Sequence, residues 1–230
     1  MTHLFSDFFP PEVLAFCADR SVDFMPDPMS GRLNQPQIDF LVDHLGPFVS
    51  YVVTIRQVHG NRIVVADRHT SPGLEADGVI SRQKGIPLTV RTADCLPVFL
   101  FDRDSHAIGL VHAGWKGTRE GVVIRAVEKM KEEFGTEPVN LKAAFGPAIG
   151  SCCYEVGKEF RDYFPEEVTE KEGKFFLDMP LINKRQLLAS GVPGDHILVS
   201  NSCTACDLNY FSYRREGEKA GRMISVMMLK

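Results

Sequence analysis

Residues 96–135 read LPVFLFDRDSHAIGLVHAGWKGTREGVVIRAVEKMKEEFG. Two apolar runs, Val98–Phe101 and Ile108–His112, are almost unbroken and too short for helices. Such runs predict strands covered on both faces, since a strand with one wet face alternates apolar and polar residues. The pattern then changes. From Thr118 to Phe134 the apolar residues fall at Val123, Val127, Met130 and Phe134, with Ala126 beside them and charges opposite. That spacing predicts one amphipathic helix, and Gly135 is placed to stop it.

Outward from this core, Tyr51–Arg56, Ile63–Ala66 and Pro87–Arg91 read as strands on the amino-terminal side. Leu141–Phe145, Ile197–Val199 and Ile224–Leu229 read as strands on the carboxy-terminal side, with helices over Val156–Phe164 and Pro180–Ser190. Residues 20–38, rich in Pro, Gly, Asp and Asn, read as loop. Strands and helices do not alternate regularly. The pattern is α+β and excludes a doubly wound nucleotide-binding domain.

A chain of 230 residues is long enough for a sizeable core, and a formal charge of −4 offers no attraction to nucleic acid or anionic lipid. No apolar run approaches the roughly 18 residues of a membrane span. The start, MTHLFSDFFPPEVLAF, has Asp7 and two prolines where an export signal carries basic residues and an apolar stretch. The expectation is a cytoplasmic protein without membrane or nucleic-acid partners, a single domain over 1–230, with a monomer favoured. In a reducing compartment its six cysteines (17, 95, 152, 153, 203 and 206) are thiols, ligands or nucleophiles before they are disulfides.

Three segments share one arrangement: Gln57-Val58-His59-Gly60, Thr92-Ala93-Asp94-Cys95-Leu96-Pro97 and Val111-His112-Ala113-Gly114-Trp115. Each sets a metal-capable side chain where a strand meets a turn. Two imidazoles and a thiolate suit zinc and leave a fourth position for water, which zinc ionises at pH ~7. Thirty-five residues separate His59 from Cys95 and sixteen separate Cys95 from His112, so no compact motif certifies the trio. The same residues also permit a Cys95 nucleophile with a His112 base, a copper donor set, or two satisfied histidines and a buried thiol.

The stretches QVHG (57–60), ADGVIS (76–81), LTVRTADCLPVFLFD (88–102), LVHAGWKGTREGVV (110–123), FGPAIGSCCYEVG (145–157) and FSYRREGEKAGRMISV (211–226) resemble the YfiH-like or laccase-domain family, also called polyphenol oxidase-like. They span about three quarters of the chain and arrive in the family's order. The resemblance implies a single domain of layered mixed β-sheets flanked by helices, distantly like the deamidase domain of cytotoxic necrotising factors. It implies zinc held by His59, Cys95 and His112, copper having been the earlier assignment. The activities implied are phosphorolysis of adenosine, inosine, guanosine and methylthioadenosine, with purine nucleosides and phosphate as small-molecule partners, and adenosine deamination.

Deamination requires a carboxylate to carry a proton to the leaving ammonia. Asp94 is the first candidate and Glu155 the second, although a turn-capping role and a salt bridge are their plain alternatives. Phosphorolysis requires cations for phosphate. Arg56 and Arg91 stand immediately before two of the metal segments and are the candidates, ahead of Lys116, Arg214 and Arg215. Cys152-Cys153 reads as packing, the CxxC of Cys203 and Cys206 as weak evidence for metal, and Trp115 as a core plug that could also stack on a base. The rival readings are a cysteine-dependent hydrolase or amidase acting on cell-wall precursors through Cys95 and His112, a copper-dependent polyphenol oxidase, and a binding module with inert zinc.

Overall fold

The computed structural model describes residues 3–26 and 33–230. Its two main sheets are stacked, and the apolar runs of the core strands are the reason. The larger sheet has six strands in the order Ile197–Val199, Leu141–Phe145, Leu96–Asp102, Ala107–Ala113, Gly78–Ser81 and Ile63–Val65. Its centre is the antiparallel pair Leu96–Asp102 and Ala107–Ala113, in register from Leu96 opposite Ala113 to Asp102 opposite Ala107. All fourteen residues of the pair are buried.

Burial on both faces follows from alternation. Phe99, Phe101, Ile108 and Leu110 face one way, into a core shared with Val13, Ala15, Leu88, Val90 and Met227. Those partners belong to a second, antiparallel sheet of His3–Leu4, Val13–Cys17, Met223–Leu229 and Leu88–Thr92. Val98, Leu100 and Val111 face the other way, onto Val123, Ala126, Val127 and Met130 of the helix Val122–Phe134 and onto Leu187 of the helix Met179–Ala189. The outer face of the four-stranded sheet is covered by Leu41 and Leu45 of the helix Gln35–Leu45, packed on Phe16 and Val226. Helix, sheet, sheet and helices thus form four layers. A smaller antiparallel sheet of Glu155–Val156, Lys174–Leu177 and Val168–Lys171 closes one end.

The α+β class and the layered mixed sheets agree with expectation, and so do the core strands. Four local expectations are corrected. The helix anticipated over Thr118–Phe134 is two helices, Trp115–Arg119 and Val122–Phe134, because Gly121 between them takes the left-handed conformation at φ 71°. The strand anticipated over Tyr51–Arg56 shrinks to Ile55–Arg56, since Gly46–Tyr51 coils into a 3-10 helix behind Pro47. The helix anticipated over Val156–Phe164 is reduced to Phe160–Tyr163, because Glu155 and Val156 pair with Phe176 and Phe175. The loop over 20–38 gives way to helix from Gln35, where Asn34 and Gln37 form a capping box; residues 27–32 lie outside the described residues.

The sheet–helix interface is tight. A β-carbon at Gly109 would sit 3.4 Å from the Met130 sulfur and 3.2 Å from Ile80. Met130→Ala should therefore lower the unfolding free energy by about 2–5 kcal/mol, measured by denaturant titration at unchanged slope.

Candidate active site

The chain crosses from one sheet to the other at Ala93-Asp94-Cys95, between the strands Leu88–Thr92 and Leu96–Asp102. Cys95 therefore sits at the seam. His112, near the end of Ala107–Ala113, lies opposite Pro97 in the ladder, which brings its ring beside Cys95. His59 arrives on the loop after Ile55–Arg56. The side-chain donor atoms of His59, Cys95 and His112 lie within 4.8 Å of one another. The two imidazole rings are edge to face, with centroids 4.8 Å apart.

Asp77, fully buried in the ADGVIS segment, holds this arrangement. Its carboxylate accepts the backbone N–H groups of Val58, His59 and Gly60 at 3.2, 2.9 and 2.7 Å. It also accepts the Nδ1–H of His112 at 2.8 Å, and the His112 backbone N–H reaches the Asp77 carbonyl at 2.7 Å. The Nδ1 proton is fixed by an ionised partner, so Nε2 is left as the free donor atom of the ring. The loop pays a backbone cost: His59 has φ 60°, a conformation that a non-glycine residue rarely adopts. Gln57 secures the other side, its amide donating to the Arg91 carbonyl at 2.7 Å and accepting the Arg91 N–H at 2.8 Å.

The electrostatics follow from that packing. Burial pushes the Cys95 thiol up, but His112 and His59 outweigh it and bring the thiol down to about 6. Burial likewise works against a charged His112, while Cys95 and Asp77 hold it up at about 9. Asp77 is desolvated yet kept below its usual range by His112 and the loop N–H groups. Without a metal, the site thus favours a thiolate beside an imidazolium.

The donor trio fits a single metal ion. A thiolate and two imidazoles match zinc in type, and a carboxylate behind one histidine is the usual support for such a ligand. Space has been left for the three donors. A β-carbon at Gly114 would meet His59 Cδ2 at 2.9 Å, the Cys95 sulfur at 3.2 Å and His112 Cε1 at 3.8 Å.

The trio forms part of the wall of a cleft of about 640 Å³, in the size class of small-molecule sites. A cavity of about 690 Å³ elsewhere is lined by residues 7–12 and Lys142 and carries none of the three donors. Arg56 and Arg91 both line the cleft. Arg56 pairs with Glu75, whereas Arg91 is disfavoured as a cation first by burial and then by the neighbouring Arg222. Asp94 also lines the cleft, at φ 85°, but its two carboxylate oxygens accept from Thr204 Oγ1 and the Arg214 N–H, both at 2.6 Å. Glu155 lies on the surface in an ion pair with Lys174 at 2.9 Å. Trp115 lines the cleft while packing on Phe160. Lys116 and Arg119 flank its ring, and Arg215 is bound to backbone carbonyls of 204–210.

Sequence reasoning misses Asp77, buried behind the donors, and the cleft residues Arg222 and Tyr154. Asp77 carried a signal, an acidic residue opening the apolar run GVIS. Arg222 and Tyr154 carried none, as only the fold brings them to the cleft.

A family model described as multi-copper polyphenol oxidoreductase laccase matches residues 36–230. The chain is 37% identical over 173 residues to a purine nucleoside phosphorylase of Aquifex aeolicus, covering 75% of this chain and 81% of that protein. It is 32% identical over 201 residues to adenosine deaminase RL5 of an unknown prokaryotic organism, covering 79% and 76%. Among solved structures, the YfiH protein of Bacillus licheniformis superposes with a TM-score of 0.85 at 29% identity, covering 95% of this chain and 93% of that one. YlmD of Geobacillus stearothermophilus gives 0.84 at 27% identity, covering 96% and 94%.

The Gly114 cradle yields a direct expectation. Gly114→Ala should leave far-ultraviolet circular dichroism unchanged and lower bound metal at the trio at least tenfold, measured by metal analysis after dialysis.

Proposed function

The chain belongs to the multi-copper polyphenol oxidoreductase laccase family, and on that premise we propose that it is a zinc-dependent purine nucleoside phosphorylase that also deaminates adenosine. The observation that carries the reading is one cleft lined by both the His59–Cys95–His112 donor set and the adjacent cations Arg91 and Arg222. Arg91 and Arg222 are both half-buried and repel one another, an anion between them would relieve that repulsion, and phosphate is an anion that this reaction consumes. The substrates proposed are adenosine, inosine, guanosine and methylthioadenosine.

His59, Cys95 and His112 would hold the zinc, which when bound supplies Lewis acidity within the cleft. Copper is the alternative ion for the same donors. In phosphorolysis a phosphate oxygen forms the bond to C1′ while the C1′–N9 bond breaks and the purine leaves with the electron pair. Arg91 and Arg222 would bind and orient the phosphate. Burial pushes the Tyr154 phenol up, so it stays protonated and can donate to the base. Trp115 would pack against the ring. In deamination water adds at C6, ammonia leaves and inosine results. Asp94, with both oxygens engaged, is assigned to positioning: it ties the Cys95 turn to Thr204 and Arg214.

One observation favours a second reading. Cys95, His112 and Asp77 stand in the order of nucleophile, base and orienting carboxylate, as in a cysteine hydrolase. Metal occupancy separates the two, because a zinc-bound thiolate is shielded from alkylation and a free one reacts rapidly.

Purified protein incubated with inosine and phosphate should release free base and ribose 1-phosphate. With adenosine alone it should release ammonia and inosine. Cys95→Ala should abolish both reactions. Arg91→Gln should raise the KM for phosphate by about 10–100-fold, the worth of a charge-assisted hydrogen bond, while leaving deamination within a few-fold. Metal-replete protein that makes none of these products overturns the purine reading.

A further inference from the structure

Cys152 and Cys153 stand fifty residues before Cys203 and Cys206 in sequence, yet the fold gathers all four. Their sulfurs lie within 4.8 Å of one another, with Cys153 to Cys206 at 3.2 Å and Cys152 to Cys206 at 3.6 Å. A tetrahedron of four thiolates at the zinc–sulfur distance of ~2.3 Å has edges of about 3.8 Å. Two disulfides would instead divide the sulfurs into bonded pairs at ~2.05 Å. Here Cys206 is near both Cys152 and Cys153, and all four cysteines are free. The sulfurs form one group of four instead of two bonded pairs.

The backbone is arranged as it is around metal thiolates. Gly150 to Tyr154 is a tight turn, with the N–H groups of Cys153 and Tyr154 both donating to the Gly150 carbonyl at 3.0 Å. Cys203 to Asp207 is a second, with the N–H groups of Cys206 and Asp207 on the Cys203 carbonyl at 3.1 and 2.9 Å. The two turns are joined by the bridge between Ala148 and Cys203. The Gly150 N–H donates to the Cys203 sulfur at 3.2 Å. Such a donor stabilises a thiolate and has nothing to offer a thioether or disulfide of comparable strength. The Arg215 guanidinium, ion-paired with Glu216 at 2.7 Å, donates to the Thr204 and Ala205 carbonyls at 2.8 and 3.1 Å and so braces the second turn.

We propose that Cys152, Cys153, Cys203 and Cys206 form a second metal site that binds one zinc ion through four thiolates and fastens two loops of the cleft. Binding displaces the thiol protons to solvent, four protons for four thiolate bonds, and requires no oxidant or reductant. With four protein ligands the ion has no open position, so its role is structural. The residues it fixes are those next to the ligands. Thr204, between Cys203 and Cys206, donates to Asp94 at 2.6 Å, and the Cys153 carbonyl accepts from Arg214 at 3.4 Å. Ile149 and Tyr154, at either end of the first turn, line the cleft. Loading this site therefore holds the wall of the cleft in place. The proposal stands apart from the purine reading and needs no particular reaction.

The test uses cobalt, whose thiolate charge-transfer bands scale with the number of sulfur ligands. In reduced, folded Cys95→Ser protein the histidine pair carries no thiolate, so any such band comes from the four-cysteine site. Cobalt should give a tetrathiolate spectrum at about one equivalent, bleached by one equivalent of zinc. Cys206→Ser in the same background should lose about a quarter of the band intensity. Should the variants fail to fold, wild-type protein serves: zinc loading should protect these four cysteines from iodoacetamide, and chelation should expose them at least tenfold. Absence of cobalt–thiolate bands in folded Cys95→Ser protein, equal alkylation with and without zinc, or disulfides among the four after reducing purification would each overturn the site.

Discussion

The architecture of the candidate site depends on a carboxylate that has no contact with solvent. A buried, unpaired carboxylate costs several kcal/mol, and Asp77 avoids that cost by accepting four N–H groups, three from one loop and one from an imidazole. Each donor is thereby located. The loop N–H groups point inward, which forces His59 into the left-handed conformation and turns its ring toward His112. His112 has its tautomer assigned and its Nε2 freed. A single ionised group thus sets the direction of two of the three donors, and the chain crossing between sheets supplies the third, Cys95.

The layers make this possible. A carboxylate survives in such a place only where the surrounding backbone is rigid enough to keep all four donors aimed at it. Asp77 precedes Gly78–Ser81, which pairs with Ala107–Ala113 inside the six-stranded sheet, and His112 is on that neighbouring strand. The hydrogen bond between them therefore spans two adjacent strands whose register is fixed by fully buried residues on either face. At the seam Asp94 does similar work, tying the turn before Cys95 to Thr204 and Arg214. Thr204 follows Cys203 and Asp94 precedes Cys95, so the hydrogen bond between Thr204 and Asp94 links the two metal-capable groups.

Much of the frame was legible in the sequence, because covering a strand on both faces leaves an unmistakable apolar run. Leu96–Asp102, Ala107–Ala113 and Met223–Leu229 are such strands, and the helix ending at Gly135 shows its periodicity openly. What escaped was set by partners distant in sequence. Glu155–Val156 takes its conformation from the strand it meets and carries no local pattern. The donor trio showed its chemistry but not its proximity, and only the similarity of whole motifs brought the three residues together. Asp77 was hidden as one letter of ADGVIS. The cysteine pairs at 152–153 and 203–206 each look unremarkable alone, and their meaning lies in a juxtaposition made by the bridge between Ala148 and Cys203.

The most direct measurement is the zinc affinity of the His59–Cys95–His112 site in Asp77→Asn protein, by competition with a chromophoric chelator. Asparagine keeps the volume but turns an amide N–H₂ toward donors that need an acceptor. The Asp77→Asn protein should fold, and its affinity at this site should fall about 10–100-fold, as for other supporting residues behind metal ligands. An Asp77→Asn protein that binds zinc there as tightly as the parent would contradict the claim that this carboxylate organises the site.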